Sequence, residues 1–470
     1  MHRACNCKRT NLGRRHPPFP TAPANPISQQ PSTQLRAASS AMTLKRLLGL
    51  SAAASGRLRR GISTAASRPP WAMVYPLTKL KTPAPRVSLQ LAEAPCISHL
   101  NVPAHLVYPG TGPDPRNDDI SLVFGGFVKA SSGDGLLLLN FLDLRGTAPI
   151  VSTHRGTQGR KLTFISLDPD VTRFVCNPLT GQLFRLPDID GKKKTLSCAG
   201  MGILTQSERP HRPPDRFAVA ELHEDHDGEE PSFVMRRFLS QTGKWDKLVG
   251  LPSPLPLARR MNIDHEVLAF SGRLWYVDIS WGAVSADPFS DRPELRFVEL
   301  PRGSVTEPPK GPGQPELDGY RRMGVSEGRL RYAEVSQKEP FVLSSFALDG
   351  DGSCWTLEHR VALSRLLPRG DLLSGEDTPR IGVVDPMNAS VMHITLGNQA
   401  FSVDMDKGKV LACSLTGPSL QCDSLKSCVL PPWLASSRIP SAGTLSSNKA
   451  KVKSKTLSDI LVRVDMDKKN

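Results

Sequence analysis

Apolar residues in this chain come in short runs separated by turn residues, and helix-length periodicity is scarce. "LTFISLD" and "TRFVCNPLTGQLFRLP" (162–187) read as strands divided by Pro169-Asp170 and by the turn "PLTGQ". "EVLAF" and "RLWYVDIS" flank Ser271-Gly272, a strong hairpin signal. "PFVLSSFAL" and "CWTLEHRVAL" flank the glycine-rich "DGDGS" (349–353), and 390–415 carries three short strands parted by "GNQ" and "DKGK". The pattern predicts an all-β body.

An internal repeat sharpens that expectation. Gly272–Ser280 (GRLWYVDIS) aligns with Gly328–Ser336 (GRLRYAEVS), identical at five of nine positions and 56 residues apart. "RLP", "GLP" and "ELP" recur at 185–187, 250–252 and 299–301, each after an apolar run, as strand exits would. A four-stranded unit repeated every ~40–50 residues is the mark of a radial β-propeller, whose blades bury their faces only against neighbours. The expectation is a degenerate propeller-like body over 118–435 with about six or seven blades at that spacing.

Composition is compatible with a globular body: 39% hydrophobic, 22% charged, with 42 prolines and 37 glycines favouring short elements joined by turns. The charge of +15 is unevenly placed. Residues 1–92 hold fifteen Lys and Arg and no acid, and the other 45 basic residues are matched by all 45 acidic ones. A further excess sits at 449–470, so 93–448 is slightly acidic, with 38 basic and 42 acidic residues. Such a body is a poor binder of nucleic acid.

Acid-free residues 42–67 explain part of the excess. On a helical wheel Leu44, Leu47, Leu48, Leu58 and Ile62 share one arc, with Lys45, Arg46, Arg57 and Arg60 opposite. Amphipathic, Arg- and Ser-rich and lacking acids, 42–70 reads as a mitochondrial transit peptide, processed near Arg60, Ile62 and Ser63 in "RGIST". A basic tail or a membrane-surface helix is the plainer reading, and a plastid, cytoplasmic or nuclear location the alternative. Residues 1–41, polar and proline-rich, read as a disordered upstream extension with Met42 as the main translation start. Residues 71–117 read as an irregular linker and 436–470 as a basic disordered tail.

"SSGDGLLLLNF" (131–141) followed by "FVCNPLTGQLFRLP" (174–187) resembles the F-box-associated, kelch-like propellers of plants. More closely, phrases from "LDPDVTRFVCNPLTGQLFRLPDID" through "LWYVDISWGAVSADPFSDRPELRFVELPRGS" to "YRRMGVSEGRLRYAEVS" resemble the grass-expanded "domain of unknown function 1618" family over roughly 120–365. That resemblance implies a plant protein of propeller-like fold, without established activity or catalytic residues. No F-box-like "LPxELxxxIL" segment precedes the β body, so a ubiquitin-ligase adaptor role has no support.

Candidate chemistry is sparse. The nine cysteines show no C-x-x-C spacing and read as buried reduced thiols. Asn177–Gly181 (NPLTG) reads as a turn, "HEDHDGEE" (223–230) as a solvated acidic loop, and 349–353 as a hairpin turn lacking a calcium loop's later ligands. "GKKKT" (191–195) lacks the phosphate-loop pattern. No cofactor or metal motif stands out, and no run of eighteen apolar residues could span a membrane as a helix.

Trp275, Asp278, Trp281 and Phe289 form the most site-like cluster, aromatics with a carboxylate that could line a propeller mouth. The competing reading puts Trp275 in a blade core and Trp281 between blades. The expected function is a non-catalytic module for a protein partner, delivered to mitochondria. Its alternatives are an enzyme with a small-molecule site in the propeller channel, or an organellar RNA-associated protein using Lys449, Lys451, Lys453 and Lys455.

Overall fold

The computed structural model describes residues 68–440 apart from connecting segments, the longest being 106–119, 192–199, 308–316, 368–377 and 417–424. Residues 1–67, including Arg60, Ile62 and Ser63, lie outside the described residues, as do the lysines from Lys449 onward.

Within that range the chain is all-β. Residues 71–103, expected as irregular linker, instead hold β1 (Trp71–Val74), β2 (Lys79–Lys81), β3 (Ser88–Gln90) and β4 (His99–Pro103). The first blade comprises β5 (Ile120–Ser131), β6 (Leu137–Thr147), β10 (Asp170–Asn177) and β11 (Gln182–Arg185). Between β6 and β10 run a hairpin, β7 (Ile150–His154) and β8 (Thr157–Arg160), and the short β9 (Thr163–Phe164) against β6. The second blade is β12 (Met201–Gln206), β13 (Arg216–Asp225), β14 (Ser232–Leu239) and β15 (Lys244–Pro252). The third is β16 (Val267–Phe270), β17 (Arg273–Asp278), β18 (Gly282–Ala286) and β19 (Arg296–Glu299). The fourth is β20 (Arg321–Ser326), β21 (Arg329–Val335), β22 (Val342–Leu348) and β23 (Trp355–Ala362). The fifth is β24 (Arg380–Val384), β25 (Val391–Leu396), β26 (Gln399–Asp404) and β27 (Lys409–Leu415), after which β28 (Lys426–Val429) ends the series.

Each blade is an antiparallel meander, and the leading strands β5, β12, β16, β20 and β24 meet their neighbours around the inside. β28 touches β24 on one side and β5 on the other, and pairs with β1 from Trp71↔Val429 to Val74↔Lys426. The two ends of the described chain thus close the ring.

Five blades form where six or seven were expected. The leading strands begin at residues 120, 201, 267, 321 and 380, so each unit with its loops is longer than a bare repeat. The remaining arc is filled by a two-stranded sheet that no repeat count reveals.

Local sequence explains the hairpins. Ser271-Gly272 and Glu327-Gly328 both adopt positive φ, 50° and 69° in the first pair and 48° and 68° in the second. A two-residue turn of that hand matches the right-handed twist of the strands it joins. The repeat detected in the sequence is therefore the second strand of adjacent blades, β17 and β21. Arg216–Leu222 in β13 follows the same Arg-x4-acid-aliphatic pattern one blade earlier.

The core lies between the blades. One apolar layer joins Leu204, Phe233 and Met235 to Tyr276 and Trp281; the next joins Trp275 and Val277 to Leu330 and Tyr332. Outer edges are linked by indoles: Trp245 Nε1 donates to the Pro187 carbonyl and Trp355 Nε1 to that of Glu299, each at 2.7 Å. Their acceptors are two of the strand exits recognised in the sequence.

Other local expectations are met. Asn177 Oδ1 accepts from the Leu179 and Thr180 amides, and Ser353 binds Asp349 across the 349–353 turn. The cysteines differ from expectation: Cys176 and Cys428 are buried thiols, but Cys96, Cys354 and Cys413 are exposed. Among the described residues, no helix is long and apolar enough to cross a membrane.

Candidate functional site: a polar cleft at the fourth blade

The Glu327-Gly328 turn sets the register of β20 against β21, and that register aligns one polar row across the whole blade. Arg321 faces Glu334, Glu334 faces Ser344, and Ser344 faces Arg360. The row lines an open cleft of about 470 Å³, with Tyr320, Leu317 and Val342 as its apolar walls.

Each polar group is held differently. Arg321 Nη1 donates to the Ile279 carbonyl at 2.9 Å, tying the row to the third blade. Glu334 Oε2 accepts from the Tyr332 hydroxyl at 3.0 Å. Burial pushes the Tyr332 phenol well above its ordinary range, and the charge of Glu334 pushes it further, so the hydroxyl stays a donor. Ser336 accepts from the Val342 amide and donates to the Lys338 carbonyl, shaping the loop that carries Lys338 to the rim. The exposed side chains of Lys338 and Arg360 have no ion pair among the described residues.

The residues singled out in the sequence do not line this cleft and are not gathered into one pocket. Side chains alternate along β17, so Trp275 enters the apolar layer toward the fourth blade, where its Nε1 donates to the Phe270 carbonyl at 3.3 Å. Trp281 and Phe289 pack on the other side, toward the second blade. The Trp281 ring lies 4.9 Å from that of Phe297 and 5.0 Å from the Arg259 guanidinium; Arg216 lies 5.6 Å from Phe289. Asp278 is only 2% exposed and is engaged by its own turn. Its Oδ1 accepts from the Ser280 amide (2.8 Å) and hydroxyl (2.6 Å), and its Oδ2 from the Asn262 amide (3.0 Å). Only the backbone next to it, at Ile279, reaches the cleft through Arg321.

Sequence reasoning missed two further polar clusters. Within the fifth blade His393 Nδ1 lies 3.1 Å from Ser402 Oγ and its Nε2 3.3 Å from Asp385 Oδ2. These are the residue types of a nucleophilic triad. Ser402 is only 5% exposed, however, and the ring nitrogens are exchanged relative to a hydrolase, where Nε2 meets the serine. The cluster is a buried clamp against Trp71, whose ring lies 5.2 Å from His393.

Inside the ring, Glu266 bridges Arg322 (3.1 Å) and Lys426 (3.1 Å), and Arg322 also donates to the Leu425 carbonyl. Burial depresses the Lys426 ammonium; Glu266 opposes that shift and Arg322 adds to it. These residues are far apart in the chain, and only β-sheet pairing and ring closure bring them together. Among the described residues there is no group of three or more His, Cys, Asp or Glu placed to hold a metal ion.

Known structures with similarity include Sqt1 from Saccharomyces cerevisiae, at 11% identity and a TM-score of 0.29 over 64% of this chain and 81% of that one. A putative 6-phosphogluconolactonase from Bacteroides fragilis is similar at 12% identity and a TM-score of 0.29, over 78% of this chain and 98% of that one. BamB from Moraxella catarrhalis is similar at 9% identity and a TM-score of 0.23, over 62% and 74%. At such scores none of these likenesses bears on function. No curated protein matches the chain. Residues 275–394 match a family model, from within β17 through the whole fourth blade and its cleft to β25. The family matched over that stretch is the one described as protein of unknown function (DUF1618).

Proposed function

We propose that this protein is a non-catalytic propeller module that binds a protein partner at the cleft of the fourth blade and is delivered to mitochondria by residues 42–70. The observation that carries the binding reading is the pair of exposed cations, Lys338 and Arg360, on the rim of an open cleft built on rigid strands. Binding residues that stay accessible on a packed scaffold suit recognition of another chain. The delivery reading rests on the acid-free amphipathic pattern of 42–67. The test is purification of C-terminally tagged protein from its native cells, reading the mature N-terminus and the co-purifying proteins together. A start near Ser63 with a stoichiometric mitochondrial partner is the expected result. An intact leader with partners from another compartment would remove the delivery reading, and no retained partner would remove the module reading.

A second reading, an enzyme with a small-molecule site in the channel, is favoured by Lys426, whose depressed ammonium sits inside the ring. A metabolite library screened by thermal shift on the full chain separates the two. A specific shift abolished by Lys426→Met would favour the enzyme.

A further inference from the structure

The acidic position shared by the repeats serves the fold in two blades and the cleft in the third. In β13 it is Glu221, only 6% exposed, whose Oε1 meets Arg236 Nη1 at 3.1 Å within the same blade. In β17 it is Asp278, consumed by its own turn as described. The turn after β21 is longer, running to Phe341 before β22 begins, and Ser336 holds it without help from the carboxylate. Among the described residues Glu334 therefore keeps one hydrogen bond, from Tyr332 on its own strand, and it borders the cleft.

Around it stand Arg321, Lys338 and Arg360, so among the described residues the cleft carries three cations and one carboxylate. Three cations call for an anionic ligand. The central carboxylate would repel a simple oxyanion and needs an N–H donor from whatever binds. A peptide with acidic side chains supplies both, since each carboxylate is flanked by backbone amides. β20 and β23 are three strand spacings apart, so Arg321 and Arg360 are separated by about 14 Å along the row. An extended chain rising ~3.3 Å per residue covers that distance in about four residues.

We infer that the fourth-blade cleft recognises an extended acidic segment of a partner protein, with two carboxylates about four residues apart reaching Arg321 and Arg360 and a backbone amide donating to Glu334. This rests on the module reading above and names the chemistry of its partner.

The probe is a labelled peptide, capped at both ends, with two Glu residues four positions apart. Its binding to the full-length chain is read by fluorescence anisotropy near physiological salt. Saturable binding is expected, tenfold or more weaker for Arg360→Glu, weaker for Glu334→Gln, and lost when both Glu of the peptide become Gln. Both side chains substituted border open space, and an unchanged melting temperature verifies that each variant is folded. Equal binding by wild type and Arg360→Glu would overturn the inference, and so would displacement by inorganic phosphate as readily as by unlabelled peptide. If a native partner stays bound to the Arg360→Glu protein, the cleft is not its site; the inference and the placement of the partner then fail, while the reading of the protein as a partner-binding module stands.

Discussion

A Cβ on Gly202 would overlap Val267, which places the leading strand of the third blade directly against that of the second. Gly324 and Val384 repeat the relationship between the fourth and fifth blades, with Val384 Cβ 3.1 Å from the corresponding point. A ring with so few blades brings its inner strands close, and a hydrogen in place of a methyl makes room.

Gly202→Ala should therefore lower stability by about 1–3 kcal/mol through overpacking. Gly125→Ala, whose Cβ would meet nothing within 4 Å, should stay within about 0.5 kcal/mol of wild type. Urea midpoints of the two variants check the contrast, and equal midpoints would refute the packing argument.

Trp355→Phe keeps one aromatic ring but loses the rest of the indole, with the N–H donated to Glu299 across the boundary between the third and fourth blades. The expected cost is about 0.5–1.5 kcal/mol for the bond, with the lost ring contacts adding to it. Faster amide exchange in β19 and β23 should accompany it. Unchanged exchange there would mean that the indole bond does not join the blades.

The charges inside the ring make a pH prediction with a definite sign. Glu266 and Arg322 are the charged groups facing Lys426, and its folded pKa lies below the ordinary 10.5. Between the two values the unfolded chain binds more protons than the folded one, so stability attributable to this group rises with pH across that window. Measured against Lys426→Met, wild type should gain stability as pH approaches 10.5; a constant difference would contradict this. Glu266→Gln should cost about 3–5 kcal/mol at neutral pH, because it leaves two buried cations without their carboxylate.

Ser402 should not react with a fluorophosphonate probe in the folded protein, because its oxygen is buried and committed to His393. Intact-mass measurement before and after unfolding reads this directly. Labelling of the native chain, abolished by Ser402→Ala, would turn the buried clamp into a nucleophile.

Much of the architecture was legible because hairpins write themselves locally. Ser271-Gly272 marks its turn through the backbone conformation that glycine permits, and the alternation in 273–278 assigns opposite faces to Trp275 and Tyr276. Alternation alone would give Trp275 and Trp281 the same face; the turn at 279–281 carries Trp281 to the other side, so the two do not share a pocket. The closing sheet was not legible, since β1 is four residues long and its partner β28 lies more than 350 positions away.

From local spacing alone the sequence determined an all-β class, the repeated second strand and the identity of its turns. Those features depend on a few neighbouring residues and on steric rules acting within one hairpin. Tertiary structure alone decided the number of blades, the pairing of β1 with β28, and the alignment of Arg321, Glu334, Ser344 and Arg360 into one row. It also decided that Asp278 would cap a turn while Glu334, its counterpart 56 residues later, would border a cleft. The physical reason is that a carboxylate's task depends on which donors the next turn brings within about 3 Å, and turn length, not the repeat motif, sets that.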